Sequence, residues 1–550
     1  MSRRALALAF TFTLTFTAAA DELSGADKLR VVYSNQFAWT HEGLPMVTVR
    51  VAEGRTEVVI AASNPFGVRV HPDGEGGAEL RAGATWTVRV DGGRPGKVRW
   101  HVVVGHVLPG DDKLPALLAT WRERGFVPRT FEVGSVFGVK GEVLDSRRVL
   151  VTVAPPGFAS DEASARAESH ELGEKYHVET GVHPELAERP RGMVEATDEK
   201  GTVIRNDGIL WFSPPPNGLL ELKDVDKEGG GREARRYFGK LYVTLDGAGK
   251  LAVVNAVPED KLLAGLVPAE MLPSSPVEAL KAQAVAARNQ LLAKIGTRHL
   301  TDPYRLCATQ HCQVYAGAGR ENERTTSAVT ATLGELLVKT DGSLVDTVYS
   351  ASCGGHTEDN DRAWGGSPDP SLRGLLDGDA ATARRLASFA ARIDEAGIAA
   401  WLKEGTDGAS PKPYCARPRE AKSNYRWTAK VDPAAVATRA GVGALQSIDV
   451  LERGVSGRVT RLKLTGASGV KEAHGELEVR RALGGLKSAM FILEIAREGD
   501  VISEIHATGG GHGHGIGMCQ VGAVGMAEAG ASYRDILKHY YPVSHVKRMY

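Results

Sequence analysis

Glu270 is the residue whose neighbours best suit it for proton transfer. It lies in the apolar stretch Pro268-Ala269-Glu270-Met271-Leu272, just before a predicted helix. Burial raises the pKa of a carboxyl group, because a low dielectric disfavours the charged form. A carboxylic acid that protonates a glycosidic oxygen needs such a raised pKa. The sequence therefore indicates a general acid at Glu270, although on spacing alone an ordinary surface glutamate near a helix start is the more frequent arrangement.

Two cysteines and two histidines have the spacing of a metal site. Cys307, His311 and Cys312 are clustered, and His299 lies nearby. Thiolate sulfur and imidazole nitrogen are the ligands of closed, four-coordinate zinc sites. Because four protein ligands leave no open position, the sequence predicts a structural zinc and no catalytic cofactor. A Cys307–Cys312 disulfide is the alternative if the chain is exported.

The other three cysteines permit one further pair. Cys353 stands beside a Gly-Gly turn, and Cys415 belongs to the same predicted domain. In an exported chain this predicts a Cys353–Cys415 disulfide, which leaves Cys519 unpaired.

Residues 509–523 (GGGHGHGIGMCQVGA) contain seven glycines, most of them around His512 and His514. Glycine allows the backbone to approach a ligand closely. The two histidines point the same way only if the segment is extended. The segment is therefore interpreted as one wall of a substrate cleft. A purely structural glycine loop is the alternative.

The elements that position Glu270 follow from local patterns. Residues 242–245 and 251–254, separated by an Asp-Gly turn, predict a hairpin. Ser275 as the N-cap and Glu278 three residues later predict a capping box at the start of the next helix. That helix has a polar face containing Arg288 and an apolar stripe of Leu280, Ala284, Ala287 and Leu291. Glu270 is expected on the tight loop before it.

Two modules are predicted upstream of this region. Residues 28–132 contain short β-branched and aromatic runs between turns, such as Pro72-Asp73-Gly74, which predicts a β-rich domain. Residues 133–205 predict a small α+β module whose helix is capped by Ser160 or Asp161. This module resembles the SPOR-like peptidoglycan-binding modules; a plain α+β spacer is the alternative. With a third domain at 235–550, the predicted fold class is multidomain α+β.

Residues 1–20 have the layout of a secretory signal peptide. Arg3 and Arg4 precede an apolar run, and Ala18-Ala19-Ala20 forms a small-residue cleavage site. The run is shorter than the about 18–20 residues that span a bilayer, and no later segment is long and apolar enough. The sequence therefore predicts a secreted, periplasmic or cell-wall protein. Lys+Arg and Asp+Glu are both 67, which argues against nucleic acid or an anionic membrane as the main partner.

Four ordered groups of residues resemble the SpoIID/LytB family over roughly residues 235–550. They are 253–258 with 265–271 and 279–288; 307–317 (CATQHCQVYAG); 349–358 (YSASCGGHTE) with Trp364-Gly365; and 509–523 with the segment through Tyr540-Tyr541-Pro542. The chain departs from the family at Asn289-Gln290, where Thr-Tyr is expected, and its loop at 258–261 lacks the usual aromatic residue. Both changes bear on how a sugar would stack.

The resemblance implies a peptidoglycan lytic transglycosylase acting on peptide-stripped glycan strands, with Glu270 as its catalytic acid and base. Glu270 would protonate the oxygen that links N-acetylmuramic acid to N-acetylglucosamine. The ionised carboxylate would then accept the proton of the muramyl 6-hydroxyl as a 1,6-anhydro ring closes. Because this nucleophile is internal to the sugar, one carboxylate serves both steps, whereas most glycoside hydrolases use two.

The resemblance also implies the residues that contact the substrate. Arg288 would position the sugar or its lactyl carboxylate, with a structural ion pair as an equal alternative. Cys519 stands where the family usually has serine, which argues against a nucleophile there. The implied substrate-binding residues are Arg288, Tyr349, Ser350, His514 and Gln520.

Two further implications concern zinc and partners. Some family members carry zinc at the motif around Cys307, although their upstream histidine is spaced differently from His299. Others are named amidase enhancers, so the alternative function is a non-catalytic protein that binds glycan or an N-acetylmuramoyl amidase. The intact Glu270 favours the enzyme, because an enhancer does not need a carboxylic acid there.

Overall fold

The computed structural model describes residues 32–33, 38–40, 42–70, 79–139, 142–154, 161–227, 230–309, 311–312, 314–405 and 408–550. The predicted signal peptide, the turn at Pro72 and the candidate cap Ser160 lie outside the described residues. The fold mixes helices with several separate sheets, so the predicted α+β class is confirmed.

The first sheet joins strands from two distant parts of the chain. Pro45–Arg55 pairs antiparallel with Leu251–Pro258, and Leu306–Cys307 adds in parallel beside Pro45–Arg55. The predicted boundary between a domain at 28–132 and one at 235–550 therefore does not separate two sheets. The main strand order is Ala38–Trp39, Pro45–Arg55, Leu251–Pro258, Lys240–Leu245, Ile209–Ser213, Gly67–Arg69, Leu80–Arg81.

A second sheet of six strands packs against the first. Thr85–Arg94 shows the underlying pattern, because alternate residues of a strand face the same side and Trp86 and Val88 are fully buried. They share a core with Phe212 and Val253 of the first sheet. The strand order is Val203–Asp207, Arg191–Asp198, Thr85–Arg94, Glu57–Ala61, Leu220–Asp226, Arg232–Tyr237.

A four-stranded antiparallel sheet with two helices forms a β-α-β-β-α-β unit. Its helices, Leu114–Glu123 and Glu162–Tyr176, pack on the sheet through a core that contains Trp121. Asp161 caps the second helix by accepting a hydrogen bond from the Ser164 amide at 2.8 Å. The sheet order is Gly181–Glu188, Lys97–Val107, Arg148–Val153, Pro128–Val133. Along the chain, Pro128–Val133 is followed by two paired strands, Val136–Val139 and Glu142–Asp145, before Arg148–Val153 begins.

The bounds of this unit differ from the predicted module at 133–205. Its first strand begins at Lys97, whereas residues 191–207 belong to the six-stranded sheet. The difference has a physical cause, since which sheet a short strand joins depends on contacts with distant strands. The likeness to SPOR-like modules stays a prediction.

Two consecutive helices carry the candidate chemistry. Glu270 is the last residue of the helix Glu259–Glu270, so the predicted loop is wrong; Pro268 lies inside its final turn. The next helix, Val277–Lys294, begins without a side-chain cap. The predicted capping box is also wrong, because Glu278 accepts a hydrogen bond from the Tyr533 amide at 2.8 Å instead.

Val277–Lys294 is a central helix, buried on nearly every side. Packed around this part of the molecule are Glu323–Ala331, Gln520–Glu528 and Tyr533–Tyr540. Because other elements cover this helix on nearly every side, its polar residues must find hydrogen-bond partners inside the protein. No described helix is long and apolar enough to cross a membrane.

Residues 351–517 form an inserted lobe. Tyr349–Ser350 and Met518–Cys519, on either side of it, pair in parallel, and farther out Glu335–Lys339 pairs with Ser544–Arg548. The lobe has its own apolar core. Its strands are Arg426–Val431, Leu445–Arg453, Val459–Gly466, Gly469–His474, Phe491–Glu498 and Val501–Gly510, and its helices are Asn360–Trp364, Ala380–Arg385, Ala387–Phe389, Ile398–Lys403, Tyr414–Ala416, Arg419–Ala421, Lys422–Tyr425, Pro433–Ala440 and Glu476–Ala482.

Candidate active site

Glu270 is half-buried at the carboxyl end of its helix. Burial raises the pKa of the Glu270 carboxyl, while a hydrogen bond from Gln520 and the charge of Lys294 act in the opposite direction. The carboxyl end of a helix carries partial negative charge, which also disfavours an ionised carboxylate there. Glu270 therefore has the environment of a group that holds its proton and can donate it.

The amide of Gln520 connects Glu270 to the central helix. Its Nε2 donates to the backbone carbonyl of Glu270 at 2.9 Å and to Oε1 of Gln283 at 3.2 Å. Gln283 is fully buried, and its Nε2 has no hydrogen-bond partner among the described residues. Gln283 therefore supports Gln520 from inside the protein and, like other fully buried residues, has no exposed surface to offer a ligand. Sequence reasoning missed Gln283; the signal was an amide in an otherwise Ala-rich helix.

Tyr349 and Ser350 lie on the strand beside Met518–Cys519, immediately before Gln520. Tyr349 is half-buried, whereas Ser350 is buried and its Oγ accepts a hydrogen bond from the Gly515 amide at 3.2 Å. The parallel pairing places both predicted residues next to Gln520. Ser350 fixes the glycine segment, and Tyr349 is the one with exposed surface.

His514 is locked in a neutral form by two backbone contacts. Its Nε2 donates to the Tyr349 carbonyl at 3.0 Å, and its Nδ1 accepts from the Ile516 amide at 3.0 Å. Burial, and next the charge of Arg458, lowers the pKa of His514 to about 3. Because both ring nitrogens are engaged, His514 positions its neighbours and is not placed to transfer a proton to a substrate.

Trp364 extends the surface next to His514. The two rings pack with centroids 5.0 Å apart, and the indole is 48% exposed. It borders a cavity of about 520 Å³ whose charged lining includes Arg461 and Glu478. An exposed aromatic face beside polar groups is suited to stack against a sugar ring. The motif containing Trp364 was part of the resemblance, but no role was predicted for this residue.

The glycines near His514 are required by packing at two positions. Gly515 has φ +77°, and a Cβ there would lie 2.2 Å from the guanidinium carbon of Arg458. Gly517 has φ +65°, and its Cβ would lie 2.2 Å from the carbonyl oxygen of Val348. At these two positions packing alone explains the glycine, as expected for a purely structural glycine loop, and no ligand is needed to explain it.

Arg288 is not on a solvent-facing side of its helix, as its predicted polar face implied. Its side chain is fully buried and pairs with Glu259, which is fully buried as well. It also donates to the carbonyls of Thr332 at 2.7 Å and Val329 at 3.3 Å. Arg288 has no exposed surface to offer a sugar, so the structure favours the ion-pair alternative over substrate binding.

The four predicted metal ligands come together in what we term the His299 cluster: His299, Cys307, His311 and Cys312. Their ligand atoms all lie within 4.8 Å of one another. His299 Nε2 is 3.3 Å from Cys312 Sγ, and His311 Nδ1 is 3.6 Å from each sulfur. A tetrahedral zinc site places its nitrogen and sulfur ligands about 3.5 Å apart.

A carboxylate supports the His299 cluster from outside. Asp302 Oδ2 lies 2.8 Å from His299 Nδ1, the arrangement that orients a metal-binding imidazole and fixes its tautomer. The donor set and its support fit a structural metal, so the residues present are compatible with the predicted zinc. His299 belongs to this set although its spacing differs from the family's.

None of the cysteines, all of which are among the described residues, forms a disulfide. The predicted Cys353–Cys415 bond is therefore not seen, and the two sulfurs are 3.6 Å apart. The alternative Cys307–Cys312 bond is also absent. Cys519, predicted to be left over, lies beside Cys353, whose amide donates to its sulfur at 3.1 Å.

Two known protein families match separate segments of the chain. The family described as "Stage II sporulation protein" (SpoIID) matches residues 247–338, and a domain of unknown function (DUF8618) matches residues 358–517. The first match contains Glu270 and the His299 cluster. The second coincides with most of the inserted lobe.

Three relatives share between 28% and 29% identity with the chain. "Amidase enhancer" of Bacillus subtilis (strain 168) is 29% identical, over 61% of this chain and 50% of that protein. An uncharacterized protein of Brachyspira hyodysenteriae is 29% identical, over 56% and 70%. "Stage II sporulation protein D" of Bacillus amyloliquefaciens is 28% identical, over 52% and 74%. The chain thus spans half the length of the first of these relatives.

Proposed function

We propose, from the premise that this chain belongs to the SpoIID/LytB family, that it is an exported lytic transglycosylase that cleaves peptidoglycan glycan strands. The observation that carries the proposal is the state of Glu270: half-buried at a helix carboxyl end, with a raised pKa. Among the described residues it has no ion-pair partner of the kind that holds Glu259. A raised pKa makes a carboxyl group a better proton donor for a glycosidic oxygen.

The first step is protonation of the leaving group. Neutral Glu270 donates its proton to the oxygen between N-acetylmuramic acid and N-acetylglucosamine, and the bond from that oxygen to the muramyl anomeric carbon breaks. The oxygen leaves as a hydroxyl of N-acetylglucosamine, and Glu270 becomes a carboxylate. The developing positive charge on the muramyl ring is favoured by this nearby negative charge.

The second step uses the same carboxylate as a base. It takes the proton of the muramyl 6-hydroxyl while that oxygen bonds to the anomeric carbon, which gives a 1,6-anhydro product and restores neutral Glu270. Gln520, whose side chain hydrogen-bonds Glu270, favours the ionised form that exists between the two steps. No water enters the product, and no second carboxylate is needed.

The surrounding residues bind and orient the strand. Buried Gln283 accepts a hydrogen bond from Gln520 and so helps to hold the amide that contacts Glu270. Tyr349 and Trp364 offer exposed aromatic surface for sugar rings. The His514 ring donates to the Tyr349 backbone carbonyl and packs against the Trp364 indole. When bound, a zinc ion in the His299 cluster would cross-link the loop that follows the central helix. The glycan strand is thus the proposed partner.

The test compares products from purified sacculi that an amidase has stripped of peptides. The chain should release fragments ending in 1,6-anhydro-muramic acid, identified by mass spectrometry. Glu270→Gln should not release them, while Lys261→Met, at an exposed position on the same helix, should release as much as the wild type. Equal release by Glu270→Gln would sink the proposal.

A second candidate function is favoured by one relative, which is named an amidase enhancer. As such a protein, the chain would bind stripped glycan or an N-acetylmuramoyl amidase without cutting the strand. It would then raise amidase turnover equally with or without the carboxyl group of Glu270. Stimulation that survives Glu270→Gln, with no anhydro products from either protein, would establish this function in place of the first.

A further inference from the structure

We propose a second metal site, in the buried thiol cluster formed by Cys353, Asp377, Cys415 and Cys519. All four residues are buried, and their ligand atoms lie within 4.8 Å of one another. Three sulfurs and one carboxylate oxygen form a donor set that selects a tetrahedral, thiophilic divalent ion such as Zn²⁺. With four protein ligands the site is closed and structural.

The distances within the cluster are those of ligands around an ion. Zn–S bonds of about 2.3 Å at tetrahedral angles place two sulfurs about 3.8 Å apart and a sulfur and an oxygen about 3.5 Å apart. The sulfurs of Cys353 and Cys415 are 3.6 Å apart, and Cys353 Sγ is 3.4 Å from Asp377 Oδ2. Both separations are therefore close to those expected for ligands of one ion.

Backbone amides support the ligands from outside. The sulfur of Cys519 accepts hydrogen bonds from the amides of Cys353 at 3.1 Å and Gly522 at 3.3 Å. Donors aimed at a buried sulfur favour its thiolate form, which is the form that binds metal. The thiol cluster therefore has an arranged outer layer, as the His299 cluster does.

Asp377 is held equally firmly. Its Oδ2 accepts from the Cys415 amide at 3.0 Å, and its Oδ1 accepts from the Tyr540 hydroxyl at 2.6 Å. His539 Nε2 lies 3.6 Å from Oδ1 and has no hydrogen-bond partner among the described residues. These contacts fix the Asp377 carboxylate among the three sulfurs, in the position of a fourth ligand.

A disulfide explains the cluster less well. Three thiols cannot all pair, so one sulfur and the carboxylate would stay buried beside the bond. The four residues also come from four separate segments: three within the inserted lobe, and Cys519 just before the helix Gln520–Glu528. One ion would tie the base of the lobe to the helix that carries Gln520.

A consequence for activity rests on the proposed function. Cys519 precedes Gln520, whose amide contacts Glu270, so an ion on Cys519 would hold that amide in position. Metal binding itself does not rest on the proposed function, since it is measured without any substrate. Failure of one is therefore distinguishable from failure of the other.

Metal content of the purified full chain tests the site. We expect about two equivalents of zinc in the wild type, about one in Cys519→Ser and about one in Cys312→Ser, which removes a ligand of the His299 cluster. The Cys312→Ser protein reconstituted with Co²⁺ should show the intense near-ultraviolet thiolate-to-cobalt absorption of a multi-sulfur site. The Gln520→Ala variant should have the same metal content as the wild type.

Two results would overturn the proposal. One is a Cys312→Ser protein that binds neither zinc nor cobalt. The other is a Cys353–Cys415 disulfide, found as an intact mass about 2 Da below that of the reduced chain and as a linked peptide pair. If Cys519→Ser does not fold, the zinc content and cobalt spectrum of Cys312→Ser still decide the matter.

Discussion

The two ends of the helix Glu259–Glu270 carry the same side chain in opposite circumstances. Glu259, at the amino end, is fully buried, pairs with Arg288 and accepts a hydrogen bond from the Tyr550 hydroxyl at 3.0 Å. Glu270, at the carboxyl end, is half-buried, and burial raises its pKa. The helix dipole favours a charge on the first and disfavours it on the second.

The difference separates a structural carboxylate from a chemical one. A buried carboxylate with a guanidinium partner stabilises the fold and has no surface to offer a substrate. A carboxyl group with exposed surface and no such partner can release a proton and take it up again. Burial alone does not distinguish these roles, because both residues are partly or wholly removed from water; the presence of a cation does.

The largest expected effect on stability comes from Glu259→Gln. Removing one partner of a buried ion pair leaves Arg288 uncompensated, which costs about 3–5 kcal/mol of unfolding free energy. Urea unfolding followed by circular dichroism measures it. Glu270→Gln is the matched control, the same substitution on the same helix, and should change the stability at neutral pH by less than about 1 kcal/mol. Equal losses of unfolding free energy in the two variants would contradict the distinction between Glu259 as a structural residue and Glu270 as a chemical one.

A smaller effect, on activity, is expected for Gln520→Ala. It removes the amide that contacts Glu270, and a hydrogen bond to a charged group contributes about 1.5–3 kcal/mol. Product release should fall by about 10-fold to 100-fold, with the melting temperature little changed. Gln520→Glu should be worse than Ala at neutral pH, since a second carboxylate repels the ionised form of Glu270. Unchanged rates of product release in both variants would show that Gln520 does not contribute to the reaction.

His514 should make the fold sensitive to acid. Burial lowers the pKa of His514 to about 3, whereas it is about 6.5 in an unfolded chain. Between these two pH values the unfolded state binds a proton and the folded state does not. Stability is therefore lost as the pH falls from about 6.5 toward 3. Unfolding at pH 7 and pH 5 should show that His514→Gln loses less stability between the two than the wild type. The same loss in both would contradict a neutral, buried imidazole.

Glu270 should have the opposite and smaller dependence. Its folded pKa is raised, so the folded protein keeps a proton that the unfolded chain has released. That contribution to stability is present below the ordinary glutamate pKa of about 4.3 and is lost as the pH rises through the raised value. Glu270→Gln should accordingly gain stability relative to the wild type between pH 4 and pH 8. The value of kcat/KM should fall over the same rise, because the acid must be protonated.

Local patterns predicted the parts of the site that depend on neighbouring residues. The hairpin before Glu270 is found as Lys240–Leu245 paired with Leu251–Pro258. The His299 cluster is also found, because its four ligands lie close together in sequence. The order of the family motifs further matches the pairing of Tyr349–Ser350 with Met518–Cys519.

Contacts between distant segments could not be predicted. Arg288 is predicted on a polar face of its helix, but other helices cover that face. Nothing near Asp377 in sequence marks it as a partner of Cys519. The pairing of Pro45–Arg55 with Leu251–Pro258 likewise joins residues about two hundred positions apart, and a pattern of alternation does not specify its partner strand. Glu270 is expected on a loop, whereas the helix continues through Pro268 and ends at Glu270.

The most direct measurement is the release of 1,6-anhydro-muramyl fragments from peptide-stripped glycan by folded Glu270→Gln and by Glu259→Gln under conditions where both are native. Because a positioned general acid contributes about 10²–10⁴-fold, Glu270→Gln should lose at least that much activity with its fold intact. The folded fraction of Glu259→Gln should retain activity close to the wild type. Anhydro products released by Glu270→Gln at the wild-type rate would contradict the assignment of Glu270 as the acid and base.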